Sequence, residues 1–240
     1  QTWGTVTLNL TPLDNVTYLG SYFLSGCRAE LDLAPLSKVE RVGGFFLEGC
    51  SGLKELDLLP LSKLETVDDG FLCGRSGLTA LDLEPLSAVG RVGDSFLSGC
   101  AALTSVNLRP LSKLTRIGHS FLKGCAGMKT VSLPCLRRVR CIPSSFLEGC
   151  SGLEELDLAE LRFVEKVKHS FLCGCSGLRW LDLQPLAGVQ LETANFLAGC
   201  VGLQSLDVTA LCETKQKVER MCVGWPERED VTNVQVVKLL

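Results

Sequence analysis

Residues 81–105 read LDLEPLSAVGRVGDSFLSGCAALTS, and close copies of this 25-residue stretch occupy most of the 240-residue chain. The glycine that ends each Phe-Leu-x-Gly motif recurs once after 23 residues and thereafter every 25 residues. These glycines are Gly26, Gly49, Gly74, Gly99, Gly124, Gly149, Gly174 and Gly199. The units begin at Leu8, Leu31, Leu56, Leu81, Val106, Val131, Leu156 and Leu181, with a partial ninth at Leu206. A fixed period over so many copies indicates a repeat architecture whose stacked units share one core.

The pattern inside one unit predicts the path of each coil. The leucines of residues 53–58 are typical of a short strand, and Pro60 stops that strand because it has no N–H to donate. Residues 89–92 are a second short apolar segment, expected on the opposite wall, and residues 96–99 look like one helical turn closed by a glycine. The predicted fold class is therefore an α/β repeat solenoid of about nine 25-residue units. Short parallel strands would line its concave face, and a short strand plus a helical turn would form its convex side.

Two residue types recur at interior positions of the unit. A phenylalanine occupies one position: Phe23, Phe46, Phe71, Phe96, Phe121, Phe146, Phe171 and Phe196. A cysteine occupies another, with Arg75 as the exception: Cys27, Cys50, Cys100, Cys125, Cys150, Cys175 and Cys200. Stacking at the strand spacing of roughly 4.8 Å would join the rings into a spine. A single file with an odd number of cysteines cannot pair completely, so we predict buried thiols that pack as small apolar groups.

The composition argues against several classes of function. A net charge of −3 does not favour nucleic acid, and the chain has no apolar run long enough for a transmembrane helix. The glycines are used by the repeat and no paired C-x-x-C set exists, so neither a cofactor nor a metal site is predicted. His119 and His169 share one repeat position, and we interpret them as surface-turn residues rather than general bases. The chain is predicted not to be an enzyme.

The outward positions of the first strand carry an excess of acids. They are Glu30, Asp32, Glu55, Asp57, Asp82, Glu84, Glu154, Glu155, Asp157, Asp182 and Asp207. The bases at these positions are Lys54, Arg109, Lys129 and Arg179. One interpretation is an acidic trough that attracts a basic partner. The other is that the aspartate between the paired leucines belongs to the repeat and keeps the sheet soluble.

Some residues on this face are not required by the repeat. Trp180 replaces small or acidic residues of the other units, which suggests either an interface hot spot or a ring folded over the edge of the core. The predicted partner-binding residues are Glu55, Asp57, Asp82, Arg109, Glu154, Glu155, Asp157, Trp180 and Asp182. They would make the chain a non-catalytic recognition or adhesion module for a protein ligand, expected to be basic. The alternative is a structural scaffold or spacer within a larger protein or complex.

The sixth unit and the two ends depart from the pattern. Arg137, Arg138 and Arg140 form a small basic patch, which would contact a second partner or membrane headgroups, or would simply be solvated. Residues 1–7 are predicted as a lead-in, 8–211 as the solenoid and 212–240 as a C-terminal cap. A disulfide between Cys212 and Cys222 of that cap is left open.

Leu-Asp-Leu followed by V-x-x-V-G-x-x-F-L-x-G-C-x-x-L resembles the BspA-type leucine-rich repeat of bacteria and protists. The resemblance covers about residues 8–211 and departs by two extra residues near Pro60 and its equivalents. Long uniform arrays of this kind look most like those of kinetoplastid protists. The resemblance implies a leucine-rich-repeat arc and a surface or secreted adhesion protein without catalytic residues. An extracellular or cell-surface location is therefore expected, with a cytoplasmic one as the alternative.

Overall fold

The structure is a computed structural model that describes residues 7–192 and 194–207. Its strands are β1 (Thr7–Leu8), β2 (Tyr18–Leu19), β3 (Glu30–Leu31), β4 (Arg41–Val42), β5 (Thr66–Val67), β6 (Arg91–Val92), β7 (Thr130–Val131), β8 (Cys141–Ile142), β9 (Glu155–Leu156), β10 (Lys166–Val167), β11 (Trp180–Asp182), β12 (Gln190–Leu191) and β13 (Ser205–Asp207). All named pairings are parallel, and all but one join equivalent positions of neighbouring units; the partners of β10 and β12 are 24 rather than 25 residues apart. The solenoid predicted from the repeat is confirmed.

The strands fall into two rows, one on each of two walls of the coil. The first row contains β1, β3, β7, β9, β11 and β13, and the second contains β2, β4, β5, β6, β8, β10 and β12. In each two-residue strand of the second row, the first side chain faces outward and the second faces the core, as Arg91 and Val92 do. Residues 89–92 therefore line the wall opposite the first strand, as predicted.

A short 3-10 helix follows the first strand of each full unit or, in units three to five, the equivalent segment. The helices span Thr11–Leu13, Ala34–Leu36, Leu59–Leu61, Glu84–Leu86, Arg109–Leu111, Pro134–Arg138, Ala159–Phe163 and Gln184–Leu186. All but the seventh have a proline in the first turn, where its fixed φ suits the helix and its missing N–H costs nothing. A leucine of each later helix, such as Leu61, is fully buried.

The helical turn predicted at residues 96–99 is placed wrongly. Ser95 and Leu97 have φ of 59° and 53°, and Gly99 has φ of 75°, so the segment is a series of turns. A right-handed helix cannot include these left-handed residues. A Cβ on Gly99 would lie 3.3 Å from the Gly74 Cα, and every glycine of this column has a positive φ, of 66° to 75°, which favours glycine. The helical turn of each coil lies instead directly after the first strand.

The predicted phenylalanine spine runs through the interior. Neighbouring rings from Phe23 to Phe171 are stacked with centroids 5.4 to 6.0 Å apart, a wider spacing than the strand separation alone predicts. The last pair, Phe171 and Phe196, is 4.9 Å apart and tilted by 34°. Every spine ring from Phe46 onward is almost completely buried. Stacking of unit on unit therefore supplies the core, and no coil could bury its ring alone.

The cysteine column lies beside this spine and contains thiols, as predicted. Cys50, Cys100, Cys125, Cys150 and Cys175 are buried and not joined in disulfides. Each donates its S–H to a leucine carbonyl of the preceding unit, as Cys100 does to Leu72 at 3.3 Å. Burial raises the pKa of Cys100 to about 11 and that of Cys150 to about 12, so both remain protonated donors at neutral pH.

Arg75 occupies this column in the third unit and is the anomaly of the core. Its side chain is fully buried, and its Nε, Nη1 and Nη2 atoms have no hydrogen-bond partner among the described residues. Desolvation lowers the pKa of this guanidinium. Arginine nevertheless stays protonated, so the core holds an unpaired charge. The terminal lead-in, the C-terminal cap and the Cys212–Cys222 question lie outside the described residues, and the domain limits stay predictions.

Candidate functional site

The predicted site residues lie on the outward side of the first strand row and of the equivalent segments in units three to five, where no strand is assigned. We call this surface the strand face. Most of them are exposed, whereas Glu154 and Asp182 are half-buried. Trp180 begins β11 and is 52% exposed, so its ring does not fold over the edge of the core. The face therefore presents a large aromatic side chain among carboxylates.

The aspartates between the paired leucines have a structural task that sequence reasoning missed. The Asp57 Oδ1 atom accepts a hydrogen bond from the Leu59 N–H at 2.8 Å, and Asp157 does the same for Ala159. Each bond satisfies a free N–H at the start of the 3-10 helix, as aspartate does in an Asx turn. The other members of the column that make this bond are Asn9, Asp32, Asp82, Asn107 and Asp182.

Ser132 shows why this column is not simply an acidic surface. It is the unit's counterpart of Asp57, and the residue two positions on is Pro134, which has no N–H to donate. The column thus departs from Asp or Asn in the one described unit where the capping bond is impossible. This co-occurrence was the sequence signal that could have revealed the cap. One oxygen of each capping aspartate is occupied, and the other is left for contacts outside the fold.

Glu154 is engaged by its neighbours. Its carboxylate lies 3.5 Å from an Arg179 nitrogen and 3.9 Å from the Lys129 ammonium, so the three residues form a row across adjacent units. Both cations are well exposed, which limits the strength of such pairs to a fraction of a kcal/mol, on the order of 0.2–1. Glu154 was predicted to add a free negative charge to this face, but in the structure that charge is paired.

Trp180 stands at the edge of an open groove in the strand face. The groove has a volume of 630 Å³. Its lining consists of Thr130, Val131, Glu155, Leu156, Asp157, Leu158, Arg179, Trp180, Asp182 and Pro185. Four predicted residues meet here, namely Glu155, Asp157, Trp180 and Asp182. The carboxylates of Glu155, Asp157 and Asp182 surround an apolar floor that is formed by buried leucines. The groove therefore combines an aromatic wall with negative charge.

The remaining predicted residues are distributed elsewhere. Glu55, Asp57 and Asp82 line a second, more open groove together with Leu31, Leu56, Ala80 and Leu81. The centres of the two grooves are four units apart, which at the strand spacing is roughly 19 Å. Arg109 is exposed at the start of a 3-10 helix and lines neither groove. The structure therefore brings seven of the nine predicted residues together in two clusters and leaves Arg109 and Glu154 outside both linings.

Several groove residues were not predicted. Thr130 and Glu155 are Cα partners of the β7–β9 pair, and Trp180 occupies the same repeat position one unit further on. Thr130 thus shares an outward column with two predicted residues, a signal that could have identified it. Val131, Leu156 and Leu158 were assigned to the core alone, yet they form the floor of the groove. Pro185, from the helix after β11, closes one side.

The two histidines lie at an exposed corner after the second strand, as predicted. His169 has a partner that was not foreseen, because its Nε2 atom is 2.9 Å from the Ser144 Oγ. Ser144 is only 4% exposed, and the other ring nitrogen of His169 lies 3.4 Å from the Ser170 hydroxyl rather than from a carboxylate. A buried hydroxyl and an unoriented imidazole are poorly suited to nucleophilic catalysis. The contact ties two neighbouring coils together.

The basic patch of the sixth unit is largely paired. Arg137 donates two hydrogen bonds to the Glu160 carboxylate, at 2.7 and 2.8 Å. The Arg140 Nη1 atom donates to the Phe163 carbonyl at 3.0 Å, and its Nε lies 3.8 Å from Glu165. Arg138 is exposed. These pairs favour the solvated interpretation for Arg137 over contact with a second partner.

Neither a metal-binding cluster nor a membrane-spanning helix is found among the described residues. Within residues 7–192 and 194–207, no group of three or more His, Cys, Asp or Glu side chains could hold a metal ion. Over the same ranges, every helix is too short to cross a bilayer.

Comparison with known proteins adds the family. A model of the BspA type leucine rich repeat region matches residues 5–110 and 90–217, with six copies. A leucine-rich repeat protein from Bacteroides ovatus is 19% identical, covering 87% of this chain and 75% of that chain with a TM-score of 0.37. The functional domain of InlJ from Listeria monocytogenes, which includes a cysteine ladder, is 17% identical over 84% of this chain and 60% of that chain, with a TM-score of 0.25.

A leucine rich cell surface protein from Faecalibacterium prausnitzii is 13% identical, covering 88% of this chain and 82% of that chain with a TM-score of 0.32. Comparison with curated protein sequences gave no match. All three structures are bacterial, and none of these comparisons supports the resemblance to kinetoplastid arrays. The matched segments together cover residues 5–217, and the chain belongs to the family of BspA-type leucine-rich-repeat proteins.

Proposed function

We propose that this chain is a non-catalytic recognition module that binds a protein partner through its strand face. The groove beside Trp180 is the centre of the proposed contact. Glu155, Asp157 and Asp182 surround it, and a half-exposed tryptophan forms its wall. The single observation that carries the proposal is the exposure of Trp180, since nothing in the coil requires an aromatic residue there.

The chemistry of the groove indicates the kind of partner. A tryptophan next to an apolar floor gains free energy when a partner covers it, and Trp is enriched among interface hot spots. The carboxylates around the ring favour Lys or Arg side chains and accelerate the approach of a basic surface. The partner is therefore a protein segment that combines an apolar residue with positive charge.

A scaffold or spacer is the second candidate, and the aspartate column favours it. The capping bonds of Asp57, Asp82, Asp157 and Asp182 explain those residues without a partner. They do not explain Glu155 or Trp180, whose side chains have no capping role. Substitution of Glu155 or Trp180 therefore distinguishes a recognition function from a scaffold or spacer function.

We also propose an extracellular or cell-surface location, with a cytoplasmic one as the alternative. Family membership supports the first, because the resemblance to BspA-type repeats implies surface adhesion proteins. The buried thiols agree with either compartment, since they are protected by packing rather than by a reducing solvent.

The proposal is tested with a displayed library of random peptides selected on the full chain. We expect enrichment of peptides that pair Lys or Arg with an aliphatic or aromatic residue. Trp180→Ala should weaken the selected peptides by about 30-fold or more, since truncating a hot spot costs at least about 2 kcal/mol. Glu155→Lys should weaken them further by charge repulsion, and both effects are measured by titration calorimetry.

Phe163→Ala is the matched control, because Phe163 is a 41% exposed aromatic residue outside the strand face. Its affinity for the selected peptides should equal that of the parent chain. Peptides that bind Trp180→Ala and Glu155→Lys as tightly as the parent would contradict recognition at this groove and leave the scaffold function.

A further inference from the structure

The second strand row presents a face of opposite charge to the strand face. The cations on or beside it in units four to seven are Arg91, Arg116, Arg140, Lys166 and Lys168. Lys166 is paired with Glu192 at 2.7 Å, and Arg140 is loosely paired with Glu165. The face is therefore partly neutralised at its far end and remains positive toward Arg91 and Arg116.

Arg91, in β6, and Arg116 of the next unit are paired in an isolated parallel bridge, so their backbones lie directly opposite each other. Both are exposed, and neither makes an ion pair or side-chain hydrogen bond within residues 7–192 and 194–207. Like charges placed directly opposite in a sheet destabilise it. Thr66, which is paired with Arg91 on its other side, carries no charge that could compensate. This arrangement is unfavourable for the isolated chain and becomes favourable when an anion bridges the two guanidinium groups.

A groove of 310 Å³ adjoins this pair. It is lined by Asp94, Thr115, Arg116, Ile117, Gly118, His119, Arg140, Cys141, Pro143 and Lys168. Its only carboxylate, among the described residues, is that of Asp94, whose Oδ1 atom accepts a hydrogen bond from the His119 backbone N–H at 2.7 Å. Arg116, Arg140 and Lys168 thus outnumber the one acid, and the Arg140 Nη1 atom also donates to the Phe163 carbonyl at 3.0 Å.

The side chains in the groove fit the chemistry of an oxyanion. Arg116 and Arg140 carry planar guanidinium groups, which bind two oxygens of a tetrahedral oxyanion at once. Lys168 adds a mobile point charge, which also acts on Glu192. Thr115 is not a free donor, because its hydroxyl already donates to the Gly90 carbonyl at 3.2 Å.

We propose that this groove is a binding site for a phosphate or sulfate group, held by Arg116, Arg140 and Lys168 of its lining and by Arg91, which is bridged to Arg116 beside it. The site lies on a different wall of the coil from the groove beside Trp180 and does not depend on the recognition function proposed there. It takes the group either as a free ion or as part of a sulfated glycan or a phosphorylated lipid headgroup.

The test uses the full chain and the double variant Arg91→Gln/Arg116→Gln, with three probes. These are inorganic phosphate, a heparin-derived oligosaccharide, and vesicles that contain a phosphoinositide. The parent chain should gain thermal stability with phosphate beyond that with chloride at equal ionic strength. The double variant should bind the effective probe about tenfold less tightly or worse, since each lost charged hydrogen bond is worth about that factor or more.

The double variant also tests the repulsion between the two guanidinium groups directly. Without probe, its midpoint of thermal unfolding should be higher than that of the parent, because the opposed charges are removed. Lys54→Gln is the control, since it removes one exposed charge from the strand face and should change neither quantity.

The three probes separate the sources of the oxyanion. Response to phosphate alone supports a free ion, response to the oligosaccharide a sulfated glycan, and response to vesicles a lipid headgroup, provided that the double variant loses it. Equal responses of the parent and the double variant, or no response of the parent to any probe beyond that to chloride, would overturn the site.

Discussion

Arg75 stands where the other full units have cysteine, and Trp180 stands where they have small or acidic residues. Arg75 lies in the interior, whereas Trp180 lies on the strand face. Arg75 is fully buried without a hydrogen-bond partner, so its substitution imposes the desolvation of a charge. Trp180 is half exposed, so its substitution leaves every coil-to-coil contact in place. The interior columns therefore determine stability, and departures on the outer columns are free to serve binding.

The largest effect that separates these regions is expected in the spine. Phe121 is completely buried between Phe96 at 5.4 Å and Phe146 at 5.8 Å. Phe121→Ala should lower the free energy of unfolding by about 3–5 kcal/mol, through lost burial and the cavity that remains. Urea unfolding followed by circular dichroism measures the loss. Trp180→Ala should change it by no more than about 0.5 kcal/mol, and similar losses in both variants would refute the division.

A smaller effect of opposite sign is expected at Arg75. Arg75→Cys removes an unsatisfied buried charge and restores a thiol that the 28-residue register directs toward the Leu47 carbonyl. The free energy of unfolding should rise by about 1–3 kcal/mol. Arg75→Met, which has no polar group, should also stabilise the chain. If both variants unfold at the same or a lower urea concentration than the parent, the guanidinium has a stabilising partner in solution.

The smallest effect concerns the boundary between the two regions, where a strand-face aspartate also serves the fold. Asp157→Ala should lower the free energy of unfolding by about 1 kcal/mol, since the Ala159 N–H loses its acceptor. Ser132→Ala is the matched control, because Pro134 offers no N–H and nothing is lost. Equal urea midpoints for the two variants would mean that the capping bond contributes nothing measurable.

The residues that could be predicted from the sequence are those whose environment repeats. Phe96 and Cys100 recur in step with the period, so their stacking follows from translation of one coil onto the next. Contacts that occur once were not predictable in this way. Whether Ser144 meets His169, or Arg137 meets Glu160, depends on which side chains adjacent units place at neighbouring positions.

Backbone direction was the other source of error. The left-handed conformations of Ser95 and Leu97 are unusual for residues with side chains. The residue types at these positions therefore did not predict the backbone conformation. The candidate site shows the same division between what the repeat predicts and what it does not. Trp180 could be singled out as an exception, whereas its grouping with Glu155 and separation from Glu55 depended on distances along the array.

The hydrogen bonds of the glycine column have a consequence for how this chain changes in length. The Gly74 N–H donates to the Ser98 carbonyl at 2.6 Å, and the Gly99 N–H donates to the Lys123 carbonyl at the same distance. Because each coil offers its neighbour the same backbone groups, a duplicated or deleted unit meets a matching partner on both sides. A unit inserted or deleted between the two grooves would move Trp180 by one strand spacing relative to the second acidic groove, and so change the distance between two contacts while leaving the residues of both unchanged.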